Sequence, residues 1–176
     1  KGSLSLHRSD CGEDFRFMVF PGEIDLREET SDQKCRFDGA VFKDSALFMD
    51  ANFEEDASFR RSVFEREAFF MGSDFYKKAD FWKTTFEEKV DFSNSSYEEE
   101  HRRGRLISNF ESANFHGKTV FCDATFKQIS NFSEVNFSDG VCFKEAIFEG
   151  DASFWHTTFD GWTNFLESYF RKWVSF

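Results

Sequence analysis

Beyond residue 36, large apolar and polar positions alternate with a fixed rhythm. Phe recurs at 37, 42, 48, 53, 59, 64, 70, 75, 81, 86 and 92, so steps of five and six alternate and the true period is eleven. Tyr97 takes the next slot, and after one gap of thirteen the rhythm resumes at Phe110, Phe115, Phe121, Phe126, Phe132, Phe137, Phe143, Phe148, Phe154, Phe159, Phe165, Phe170 and Phe176. That gap is an ordinary step of six plus a seven-residue insertion, and Phe69 is the one Phe of the segment outside the register. A second position, two residues before each aromatic, holds small side chains such as Cys35, Ala40, Ala46, Ala57, Ser62, Ala79 and Thr84, never a charge.

An α-helix is excluded by geometry. At about 100° per residue, a five-residue step throws successive rings about 140° apart, and no single apolar stripe forms. In an extended segment, residues two apart share a face. Each small and large pair then points inward, its neighbours point outward, and the chain has to coil around the pairs.

The segments Ala51-Asn52-Phe53-Glu54-Glu55, Ala79-Asp80-Phe81-Trp82-Lys83 and Ala113-Asn114-Phe115 resemble the pentapeptide-repeat family, whose unit is Ala, Asp or Asn, Leu or Phe, then two variable residues. The resemblance covers residues 35 to 176. It implies an all-β fold, a right-handed quadrilateral parallel β-helix with four repeat units per coil. One extra residue in every second unit, as in Glu54-Glu55-Asp56 before Ala57, marks a Phe-rich eleven-residue variant. Four sides of five, six, five and six residues make 22 per coil, so Phe37, Phe59 and Phe81 are expected in one column, continued by Phe110, Phe132, Phe154 and Phe176 after the insertion.

The ends are less regular. Phe15, Phe20 and Leu26 keep the phase while Ser9 and Ser31 occupy aromatic slots, so residues 1–36 read as a degenerate first coil or an N-terminal cap and 37–176 as the β-helix. The DLREETSDQK stretch reads as a short helical turn or a solvated loop. At the other end the pattern runs into Phe176, which leaves a strand edge exposed. Either the chain is a segment of a larger bacterial protein, or two C-terminal ends pair in a homodimer. Trp155, Trp162, Trp173 and Phe176 are the candidate end contact. The insertion lies within 98–109, and Glu98, Glu99, Glu100, His101, Arg102, Arg103 and Arg105 are the candidate partner-binding loop, because loops on rigid scaffolds often carry recognition.

Composition narrows the function classes. Aromatics at 20% exclude intrinsic disorder despite 31% charged residues. No apolar run reaches membrane-spanning length. A net charge of −11 argues against direct nucleic-acid binding, which calls for a Lys/Arg-rich surface. Cys11, Cys35, Cys122 and Cys142 form no CxxC pair, so a zinc site is unsupported. Cys122 and Cys142 face outward from adjacent coils two positions out of register, a diagonal of about 7–8 Å in a sheet. That is too far for an easy disulfide, so reduced thiols and a cytoplasmic setting are expected. His7, His101, His116 and His156 fall on separate sides or in the loop, and no nucleophile, base and orienting acid converge. The sequence therefore implies no enzyme activity and no cofactor.

The first functional reading is a rigid scaffold or protein-protein interaction module whose partner the sequence does not name. The second comes from the resemblance, since some pentapeptide-repeat proteins are acidic DNA mimics that bind bacterial type II topoisomerases such as gyrase. Mixed signs oppose it. Glu54-Glu55-Asp56 is followed one coil later by Tyr76-Lys77-Lys78.

Overall fold

The computed structural model describes residues 4–5, 14–98 and 107–176. Its strands are two or three residues long and build four parallel sheets, one of eight strands and three of seven. Face 1 runs through Cys35–Arg36, Ala57–Ser58, Ala79–Asp80, Ile107–Asn109, Ile129–Asn131, Ala152–Ser153 and Val174–Ser175. Faces 2, 3 and 4 are the sheets that contain Val41–Phe42, Ala46–Leu47 and Asn52–Phe53. Strands pair in register with strands 22 residues on, as in Val63↔Thr85 and Ala57↔Ala79, except across the insertion, where Thr85↔Asn114 gives 29, and at Leu4↔Ile24, where the offset is 20, so the chain is a quadrilateral parallel β-helix of about seven coils. No helix of the described residues is long and apolar enough to cross a membrane.

The inward slots form a single aromatic core. The column Phe37, Phe59, Phe81, Phe110, Phe132, Phe154, Phe176 has ring centroids 4.8 to 5.3 Å apart and nearly parallel planes. Neighbouring columns meet edge to face, as Phe81 and Phe92 do at 5.4 Å and 83°. Both arrangements suit the ring quadrupole. Tyr97 keeps its slot between Phe75 and Phe126 at 5.0 and 4.6 Å. Its hydroxyl is buried with no partner in hydrogen-bonding geometry among the described residues, and burial drives its pKa up.

The corners carry a cost that spacing does not reveal. Every eleven residues, apart from the longer interval between Asn94 and Ser112 that holds the insertion, the chain turns through positive φ, with glycine at Gly39 and Gly72 but twelve other residues elsewhere among the described ones, including Arg61, Lys83, Asn94 and His156. Left-handed backbone costs about 1–2 kcal/mol per non-glycine residue. The ladders on either side hold these corners: the Lys83 N–H donates to Glu111 at 3.0 Å, and Thr84 closes the turn onto Phe81 at 3.0 Å.

Two expectations are corrected. The DLREETSDQK stretch is neither helical turn nor free loop, because it begins in the strand Ile24–Asp25 and contains the strand Thr30–Ser31, both paired with the next coil. Ser31 fills the slot beneath Phe53, and its hydroxyl donates to the Gln33 carbonyl at 2.9 Å, which lets a polar residue end that column. Cys122 and Cys142 form a disulfide, with Cα atoms 5.7 Å apart. The flat-sheet diagonal fails here because the strand ends where Val120 pairs with Cys142. The chain then bends at Phe121, whose carbonyl accepts the Ala124 N–H at 3.2 Å, and Cys122 meets Cys142 of the next coil. The reduced-thiol argument for a cytoplasmic setting falls with it.

Candidate functional site

The insertion leaves the corner between faces 4 and 1. Across it the register grows from 22 to 29, Asp80 pairing with Asn109, yet Phe110 still stacks on Phe81 at 4.9 Å. The core therefore passes beneath the insertion undisturbed. Glu99, Glu100, His101, Arg102, Arg103 and Arg105 lie outside the described residues. Glu98 is described, and its carboxylate accepts the Lys127 ammonium at 2.8 and 2.7 Å and the Ser96 hydroxyl at 2.6 Å. Burial pushes its pKa up, but these donors outweigh burial and hold it below the usual carboxylate range.

Gln128 closes the gap. Its amide reaches in from the next coil, donating to the Lys77 carbonyl at 2.9 Å and to the Glu98 carbonyl. Replacing it with alanine leaves both carbonyls without this donor and is expected to cost about 1–3 kcal/mol. Denaturant unfolding of Gln128→Ala beside the parent measures that loss, and equal midpoints would reject the clamp.

Asp74 sits one coil below Ser96, and its pKa is raised first by burial and then by the Glu98 charge. The two acids act oppositely on stability. Glu98 contributes above its unfolded pKa and loses that contribution as pH falls through its depressed folded value. Ionised Asp74 opposes folding, and protonation relieves it as pH falls through its raised folded value. Carboxyl NMR titration is expected to show Asp74 protonating first on acidification, and Glu98→Gln should lower the Asp74 pKa. An Asp74 titration unmoved by that substitution would break the coupling.

The C-terminal coil presents the second candidate surface. Trp155, Trp162, Trp173 and Phe176 are all exposed, Trp173 at 64%, and Leu166 and Tyr169 are exposed beside them. Thr158–Phe159, Thr163–Asn164, Tyr169–Phe170 and Val174–Ser175 each stand last in their sheets. Phe159, Phe165 and Phe170, whose columns are covered elsewhere, are only partly buried here.

The long faces are different in character. Charges one coil apart pair with each other: Lys34 with Asp56 at 2.8 Å, Arg66 with Glu88 at 2.5 Å, Arg171 with Glu149 at 3.5 Å, and Lys43 with Glu65. Face 1 also carries a hydrogen-bonded polar row. Asp80 accepts Asn109 at 2.9 Å, the Asn131 amide donates to Asn109 at 3.4 Å, and Ser133, Ser153 and Ser175 continue the row at 2.8 and 3.2 Å. Among the described residues, no three His, Cys, Asp or Glu side chains group as a metal site. His116 lies 3.8 Å from Glu87, and His156 packs on Trp155.

One cluster escapes the sequence reading. Arg60, Arg61 and Lys83 all lie against the ring of Trp82, at 4.7 Å each. Its signal is the 22-residue offset of Arg60 from Trp82 and of Arg61 from Lys83, which becomes visible once the coil length is applied to outward positions.

The sequence matches the family described as pentapeptide repeats (9 copies) over residues 37–85 and 121–168. No curated protein matches the chain. Among solved structures, a trypsin-treated variant of QnrB1, a plasmid-mediated fluoroquinolone resistance protein, is 15% identical over 95% of this chain and 84% of that one. Its TM-score is 0.29, too loose a superposition to carry an argument.

Proposed function

The chain belongs to the pentapeptide-repeat family, and from that premise we propose that it is a non-enzymatic rigid scaffold that engages a protein partner. The exposed aromatic group at the C-terminal coil supports this best. Its long faces satisfy their charges between coils, whereas Trp155, Trp162, Trp173 and Phe176 leave apolar area in water. Surfaces of that kind mark protein contacts. A second copy meeting the same end would form a homodimer. Sedimentation across a concentration series tests this reading: Trp162→Ala with Trp173→Ala should abolish any dimer or captured partner of the parent chain. Association that survives both substitutions would remove the aromatic end from the proposal.

The acidic-mimic reading has the net charge of −11 in its favour. The pairing of Lys34, Lys43, Arg66 and Lys127 with acids of neighbouring coils works against it, because a phosphate-like row needs unneutralised carboxylates. DNA supercoiling by purified gyrase separates the two readings. Inhibition that fades with added salt would favour the mimic, whereas no effect at large excess would favour the scaffold. The Cys122–Cys142 bridge fits an oxidising compartment better than the cytoplasm.

A further inference from the structure

We propose that the cleft between Phe17 and Trp82 is a docking site for an acidic, partly apolar peptide segment of a partner protein. The cleft holds about 240 Å³ and is lined by Phe17, Asp38, Gly39, Arg60, Arg61 and Trp82. Successive coils contribute these residues at the corner that follows face 1. Gly39 forms the floor at a φ of 67°, and the Phe17 ring lies where a β-carbon would come within 2.6 Å of it. Phe17 is 78% exposed, so one wall of the cleft is an apolar ring open to water.

The other wall is cationic. Packing against the indole by cation–π attraction leaves the N–H groups of Arg60 and Arg61 available to solvent, where a planar guanidinium can meet a carboxylate with two parallel hydrogen bonds. The gathering of cations with so little carboxylate beside them is what sets this corner apart. Most described cations have a carboxylate close by, but Arg61 and Lys83 have none within 4 Å among the described residues, and the nearest to Arg60 is Asp80 at 3.8 Å. Asp80 is already held by Lys78 at 2.6 Å. Asp38, the acid lining the cleft, accepts the Ser58 hydroxyl. A chain of net charge −11 thus gathers three cations around one aromatic ring, next to a second, exposed ring. Carboxylates spaced by apolar side chains complement that arrangement. The cleft is separate from the aromatic end, so the failure of either site leaves the other standing.

The test uses the full chain and two fluorescein-labelled octapeptides, one alternating Glu and Leu and the other alternating Gln and Leu. Fluorescence anisotropy at low salt is expected to show saturable binding of the Glu peptide alone, weakening as salt rises. Arg61→Glu with Lys83→Glu should raise its Kd by about tenfold or more, since charged hydrogen bonds are lost and repulsion is added. Trp82→Ala should weaken binding too, whereas Lys118→Ala with Lys172→Ala, cations on other parts of the surface, should leave it unchanged. Unchanged melting of the charge-reversed chain shows that the fold is intact. Equal binding of the Gln peptide, undiminished binding by the reversed chain, equal loss in the Lys118 and Lys172 variant, or no binding at all would each overturn the proposal. So would a dimer of the parent chain that dissolves on charge reversal, because the occupant would then be a second copy.

Discussion

Phe81→Ala is expected to lower the unfolding free energy by about 3–5 kcal/mol, the cost of a large buried ring and of the cavity it leaves. Phe81 is fully buried, with Phe59 and Phe110 stacked on its two faces at 5.0 and 4.9 Å and Phe70 and Phe92 edge-on at 5.5 and 5.4 Å. The site cannot collapse readily. Backbone ladders pin its coil from both sides, as in the Phe81 N–H bond to Asn109 at 2.7 Å and the Phe59 N–H bond to Asp80 at 2.8 Å. Phe176 occupies the same column but is exposed, so Phe176→Ala should cost under about 1 kcal/mol. Denaturant unfolding of both variants, with hydrogen exchange to locate the loss, measures the difference. Equal losses would mean that the column does not carry the stability assigned to it.

Reducing the Cys122–Cys142 bridge is expected to destabilise the protein by about 3 kcal/mol, the chain-entropy value for a loop of this size. The bridge spans 20 residues and ties adjacent coils near the insertion-free half of the rod. A reductant should therefore lower the melting temperature of the parent chain and leave Cys142→Ser unaffected. Alkylation under denaturing conditions, followed by intact mass, should add two more alkyl groups after reduction than before it. Full alkylation without reductant would show that the cysteines are not joined.

The core was legible from spacing because inward slots repeat both in position and in size. The stacking of Phe110 on Phe81 follows from counting an insertion of seven, and the paired strands Ala79–Asp80 and Ile107–Asn109 share that register. Glu98 shows where such counting stops. Its place at the root of the insertion is a matter of sequence, but its tie to Lys127 depends on two side chains meeting across a 29-residue offset. The aromatic end is similar: Trp155, Trp162 and Trp173 fall outside the inward slots by position, while how much of each ring stays in water is set by the side chains that neighbouring coils place beside it.

By itself, then, the sequence determined an extended chain coiled around its apolar pairs and the identity of the inward rings, because one alternation of five and six admits a single set of residues that can all be buried together; the four sides and the 22-residue coil were what the family resemblance implied. Tertiary structure alone decided the contacts on the outside. The bend at Phe121 brings Cys122 to Cys142, the left-handed corners at Arg61 and Lys83 aim both cations at Trp82, and Gln128 reaches two carbonyls of other coils. Outward side chains are not bound by a common volume. Where they meet depends on the local turn of each corner and on which residue the next coil happens to place alongside.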